Sequence, residues 1–268
     1  MFTIPPTTNS PASFDDIPQL SLRGVLGLWL AVVLPMAVLA LGVTPWLIPR
    51  LPQVQPGLVF WAMIVCGMAW QTVVSLAVLH YEGTPLSWPV LKHRLWLTAP
   101  RHPDTGRPQR RMLWWIVPLG VVAVFATDAA FGGLDGIVAA HLPEAMKPSY
   151  GEITALATPD NKGAWGILVL AAISSVFNYA LGEAFFFHAI LLPRCQRVFG
   201  RGNWVANALL FGGYHLHKAA VWPTIILSCL AYSFPAQRTG SIWPAVLIHG
   251  TEGIVLLLAV GYVVIVGV

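Results

Sequence analysis

The chain has 268 residues, of which 56% are hydrophobic and only 10% charged, with a formal net charge of +4. A mean hydropathy of +0.69 excludes an ordinary soluble globular domain. The basic balance does not point to nucleic acid, because no Arg/Lys stripe interleaved with aromatics occurs. The composition therefore predicts an integral membrane protein.

The polar start MFTIPPTTNSPASFDDIPQ lacks a basic n-region and a short apolar h-region, so no cleavable signal is expected there. Residues 1–22 are expected to form a disordered cytoplasmic tail. Apolar runs over 25–47, 57–79, 112–130 and 164–192 each reach the roughly 20 residues a bilayer requires. Shorter or interrupted runs follow at 204–214, 222–234 and from 242 onward, where Gly250 and Gly253 allow a break into two segments. The expected fold is all-α, a polytopic transmembrane helical bundle of seven or eight spans. Residues 23–150 form supporting helices with a basic cytoplasmic loop, and 160–268 form the functional core.

The Lys/Arg bias of short loops orients the bundle. Residues 80–111 hold Lys92, Arg94, Arg101, Arg107, Arg110 and Arg111 against two acids, whereas 128–162 hold five acids against two lysines. The first loop belongs in the cytoplasm, together with Arg23, Arg194, Arg197, Arg201 and Arg238, and the N-terminus is then cytoplasmic. Residues 86–111, with Trp88, Leu91, Leu95 and Trp96, read either as an interfacial helix along the headgroups or as an ordinary basic loop. Trp114, Trp115, Trp204, Trp222 and Trp243 sit at span ends as interface anchors. Cys66, Cys195 and Cys229 are isolated, without a CxxC pair, and read as packing residues. No internal repeat or recurring broken helix supports a proton-coupled carrier.

Only two carboxylates fall inside long apolar stretches, Glu183 and Glu252. An ionisable group in hydrocarbon is costly and marks function by default. Glu183 lies eleven residues from Arg194, His215 twelve beyond Asn203, and His249 eleven beyond Arg238. At about 1.5 Å per helical residue, all three come to lie roughly 16–18 Å from one face. Three separate spans thus deliver polar groups to one depth, which suggests a shared polar cavity with access from the cytoplasmic side. A carboxylate beside two imidazoles suits hydrolysis: Glu takes a proton from water while His orients that water or stabilises an oxyanion. The same Glu183, His215 and His249 also match a catalytic zinc site with an open fourth position, although no HExxH pair occurs. No cofactor is expected, with zinc as the alternative. Glu252, three residues beyond His249, either orients its imidazole or marks a wet helix break. His217 and Lys218 read as an exposed loop, and Asn207 as a bond between helices.

The motif order EAFFFHAILLPR, NALLFGGYH, RTGSIWPAVLIH resembles the CAAX-protease and bacteriocin-processing family of intramembrane endopeptidases (CPBP or Abi), over roughly residues 164–253. The family's first motif is E-E-x-x-F-R-G. Glu183 takes the first glutamate, Ala184 replaces the second, Phe187 fits, and His188 stands in place of arginine. Phe211 and His215 preserve the second motif. The third keeps His249 but has Gly253 where asparagine is expected. The resemblance implies a prokaryotic plasma-membrane endopeptidase that cuts a membrane-associated protein or peptide, including prenylated CAAX-type substrates, without nucleic acid. Glu183 and His215 would activate water, and His249 would stabilise the oxyanion, with His188, Phe211, Glu252 and Gly253 around them. The substitutions at Ala184, His188 and Gly253 leave an alternative, a catalytically silent immunity or scaffold protein that binds membrane peptides.

Overall fold

The computed structural model describes residues 17–267, and most of the tail expected to be disordered, residues 1–16, lies outside the described part. The rest of that tail is docked. Ile17 is buried, the Leu20 amide donates to the Arg194 carbonyl, and the Gln19 side chain joins the Pro193 carbonyl to the Arg197 amide.

The described residues contain helices and turns and no strand. Six helices are long and apolar enough to cross a membrane: α1 (Leu22–Arg50), α2 (Pro56–Tyr81), α4 (Arg110–His141), α5 (Trp165–Arg194), α7 (Leu216–Thr239) and α8 (Trp243–Val266). Between them lie the short helices α3 (Trp88–Arg94) and α6 (Asn203–Tyr214). Helix α6 has 12 residues, about 18 Å at the helical rise, and so reaches only partway across. Helix α8 runs unbroken through Gly250 and Gly253, so the break that would have made an eighth span does not occur. Helix α4 runs past the end expected at residue 130, through Gly132, Gly133 and Asp135. Asp135 is tolerated there because its carboxylate accepts from the Thr224 amide at 3.1 Å and the Thr224 hydroxyl at 2.6 Å. It thereby satisfies a donor in the first turn of the α-helical part of α7.

Neighbouring helices close a ring in the order α1, α2, α5, α8, α4, α7, α6 and back to α1. Large apolar side chains such as Trp114, Leu119, Val122, Phe125, Leu258 and Ile265 face outward, as a lipid-facing bundle requires. One end of the ring carries the basic loop. That loop is helical only over Trp88–Arg94, and it docks on the α7–α8 junction through Arg101 N to Thr239 O, Ile242 N to Trp96 O, and Ser241 Oγ to Thr98 O. Trp96 is buried and left-handed, with φ 53°, a conformation that surrounding packing must hold against its intrinsic cost. Cys195, just past α5 at this end, has its thiol pushed up to about 12 by burial, so it is an inert packing group.

At the opposite end, residues 142–164 fold into successive 3₁₀ turns that form a cap. The cap is tied down by the Gln55–Asn161 side-chain pair, the Asn161 bond to the Leu156 carbonyl, and Gly163 N to Val264 O at 2.8 Å.

Helix α5 is irregular where it matters. It passes through π-helical turns at Phe177–Leu181 and Phe185–Leu191, with Gly182 between them. A Cβ at Gly182 would collide with the carbonyl oxygens of Phe177 and Met68, because the α2 backbone touches the break. Gly182→Ala is therefore expected to cost about 1–3 kcal/mol or more through overpacking against rigid backbone. A lowered melting temperature in detergent is the check.

Candidate active site

The π-helical distortion places Glu183. Such bulges shift the register of side chains and recur at functional sites, and here one lies on each side of the carboxylate. The carbonyls the distortion disturbs are taken up by other elements. Thr72 Oγ1 donates to Leu181 O, Asn207 Nδ2 to Phe187 O at 2.9 Å, and Asn203 Nδ2 to Leu192 O at 2.7 Å. Asn207 also accepts from Ser233 Oγ on α7, so it bonds between helices as its position predicted. Pro193 has no amide for the Ala189 carbonyl. Arg194 Nη1 replaces it, reaching Ala189 O at 3.3 Å and Ile190 O at 2.9 Å.

His215 occupies the C-cap of α6, after which the chain turns through a 3₁₀ connector. Its ring is fixed by the Nδ1 contact to Phe211 O at 3.0 Å, and Trp222 Nε1 holds its carbonyl at 2.8 Å. A carbonyl only accepts, so Nδ1 carries a hydrogen, and Nε2 is the ring nitrogen turned toward the cavity. That nitrogen lies 3.7 Å from Glu183 Oε2, a gap one water can bridge while donating to both.

His249 comes from the middle of α8. Tyr232 stacks on its ring at 4.9 Å and 28°, and Tyr179 meets it edge-on at 4.7 Å. Its Nε2 lies 3.9 Å from Glu252 Oε2, and the Tyr232 hydroxyl donates to the other Glu252 oxygen. Glu252 thus sits in an unbroken helix, on the His249 face. Gly253 makes room for Tyr179, since a Cβ there would strike its ring. Gly253→Ala should displace that ring from His249 and lower cleavage by up to about 10²-fold, the cost of misplacing a reacting geometry by an ångström. Turnover measured beside melting temperature separates this from misfolding.

Glu183, His215 and His249, predicted from depth alone, line one cavity of about 530 Å³. Phe211 joins them at the centre, with its ring 5.4 Å from His215, 5.7 Å from His249 and 4.4 Å from Phe187. His188 does not pair with Glu183: it is buried with neither ring nitrogen hydrogen-bonded, against Phe211 and Tyr232. His217 departs from the expected exposed loop. It is 5% exposed, because the connector tucks it beneath Phe60 and beside Tyr214 and His215, while Lys218 stays exposed. Sequence reading also missed Tyr179, Tyr214 and Tyr232. Tyr232 lies twenty residues before Glu252, and only folding brings them together. Among the described residues, no three His, Cys, Asp or Glu side chains converge as metal ligands.

The cavity does not open where expected. Its walls come from Gly57–Met68, Val124–Asp128, Ser174–Glu183, Thr224–Tyr232, His249–Leu256 and the cap residues Met146–Leu156. It therefore opens at the cap end, and the basic end is closed. Phe186, Phe187, Ile190, Leu191 and Phe211, all at most 1% exposed, fill the space between Glu183 and the basic loop.

Among known proteins, the family model described as type II CAAX prenyl endopeptidase Rce1-like matches residues 164–255. No curated protein and no solved structure gives a significant match. The matched stretch contains Glu183, His215 and His249 and the motifs that carried the resemblance. The likeness of this membrane-spanning chain to the type II CAAX prenyl endopeptidase Rce1-like family thus rests on residues 164–255.

Proposed function

We propose that the protein is an intramembrane endopeptidase that hydrolyses a peptide bond of a membrane-associated polypeptide, using water activated by Glu183 and His215. The observation that carries this reading is the Glu183–His215 pair, 3.7 Å apart at the floor of a cavity within the bundle. A water donating one hydrogen to Glu183 and the other to His215 Nε2 directs an oxygen lone pair at the scissile carbonyl. As the C–O bond forms, Glu183 takes the proton, and a ring N–H of His249 donates to the developing oxyanion. Collapse of the tetrahedral intermediate breaks the C–N bond, and the leaving amine receives the proton from Glu183. Glu252, held by Tyr232, orients His249. A CAAX-type prenylated peptide is one substrate that the family match raises.

The second reading, a silent protein that binds membrane peptides, is favoured by His188, whose buried ring nitrogens find no partner. One assay decides between the two. Purified protein in detergent is incubated with a library of membrane peptides, with and without chelator. Cleavage that is indifferent to chelator supports the Glu/His mechanism. Sensitivity to chelator supports a metal held by Glu183, His215 and His249, and no cleavage of any peptide supports the binding protein.

A further inference from the structure

The side from which this cavity is reached follows from two independent features of the fold. The first is the wall. On the long helices the lining runs from the cap end to about the middle of the span: Gly57 to Met68 on α2, Ser174 to Glu183 on α5, Thr224 to Tyr232 on α7 and His249 to Leu256 on α8. No residue of the basic loop, of the α5–α6 turn or of the α7–α8 junction lines it.

The second feature is charge. Arg23, Lys92, Arg94, Arg101, Arg107, Arg110, Arg111, Arg194, Arg197, Arg201 and Arg238 gather at the closed end, accompanied by Glu82 and Asp104. The hydrogen bonds from Leu20 to Arg194, Arg197 to Gln19, and Arg101 to Thr239 show that these segments share one end. The cap end carries Arg50, Lys147, Lys162 and Lys218 with Asp128, Asp135, Glu144, Glu152 and Asp160. Lys/Arg enrichment in short loops marks the cytoplasmic side, and acidic residues contribute little. The closed end therefore faces the cytoplasm.

We infer that the active site is served from the non-cytoplasmic side of the membrane, and that its substrate is a membrane-anchored polypeptide whose scissile bond is presented on that face, beneath the cap at residues 142–164. This rests on the proteolytic reading for the word substrate, and on the wall and the charges for the side. A bond lying on the cytoplasmic surface would have to pass the packed phenylalanines below Glu183. Those rings leave no path for an extended chain without unpacking the bundle. A bond on the opposite face meets instead the cap residues, Tyr150 and Lys147 among them, that line the cavity directly.

The test uses the full chain without its native cysteines, carrying one new cysteine at a time: Glu144→Cys on the cap, Arg107→Cys on the basic loop, and Ser228→Cys on the cavity wall. Each is treated in right-side-out and in inverted membrane vesicles with a small charged methanethiosulfonate that does not cross membranes. The expected result is modification of Glu144→Cys and Ser228→Cys in right-side-out vesicles only, and of Arg107→Cys in inverted vesicles only. Ser228→Cys modified from the same side as Arg107→Cys, or Glu144→Cys modified only in inverted vesicles, overturns the inference. So does a cavity cysteine that no reagent reaches from either side while the two surface cysteines react. Cleavage in detergent has no sidedness, so failure of the proteolytic reading appears there and leaves this labelling pattern intact.

Discussion

Glu183→Gln should lower peptide cleavage in detergent by about 10²–10⁴-fold, the usual worth of a positioned general base. The substitution keeps the shape of the side chain and its capacity to accept from water, but it removes the group that takes the proton. Because Glu183 is 3% exposed and His215 Nε2 faces it, a neutral amide should fit without loss of fold. Circular dichroism and melting temperature should match the parent protein. Peptide binding should persist, since the apolar walls from Phe60, Ile64 and Met68 are untouched. A variant that still cleaves at more than a tenth of the parent rate would remove Glu183 from the chemistry. An unchanged capture of peptide by a parent protein that never cleaves would favour the binding reading instead.

The second large effect concerns stability. Arg194 is fully buried and grips Glu82 through two bonds, Nε to Oε1 and Nη2 to Oε2, each 2.7 Å. It also donates to two carbonyls of the distorted α5 helix. Arg194→Met strands the Glu82 carboxylate in a nearly closed site and frees those carbonyls, and breaking such a pair costs about 3–5 kcal/mol. Glu82→Gln combined with Arg194→Met should recover a large part of the loss, because no unpaired charge remains. Thermal unfolding in detergent of the two single variants and the double variant measures the coupling. No loss in Glu82→Gln, with the double variant as unstable as Arg194→Met, would show that Arg194 acts only through the carbonyls. Cleavage should fall with Arg194→Met as well, since the same arginine fixes the end of the helix that carries Glu183.

Several parts of this architecture were legible before folding was considered. The apolar runs gave α1, α2 and α5 nearly to their ends, because roughly 20 consecutive apolar residues are a direct imprint of bilayer thickness, whereas α7 showed only as the shorter run 222–234. Helix α4 was cut short in that reading. Gly132, Gly133 and Asp135 resemble a loop locally, and only the distant Thr224 supplies the donors that keep Asp135 inside a helix. Helix α8 was offered a break at Gly250 and Gly253 for a similar reason, whereas Gly253 is needed for the close approach of Tyr179.

By itself, the sequence determined that the protein is helical and membrane-spanning, and that Glu183, His215 and His249 share one depth, because a helix rises by a fixed step and its charged ends are anchored. A one-dimensional step does not tell which helices become neighbours or which way a side chain points around its axis. The tertiary structure alone decided that Tyr179, Tyr232 and Glu252 enclose His249 and that His217 is buried. It also decided that aromatic packing from α5 and α6 closes the basic end of the cavity and leaves the other end open. Those outcomes depend on side chains from separate helices meeting in space, where shape and close packing decide and spacing along the chain does not.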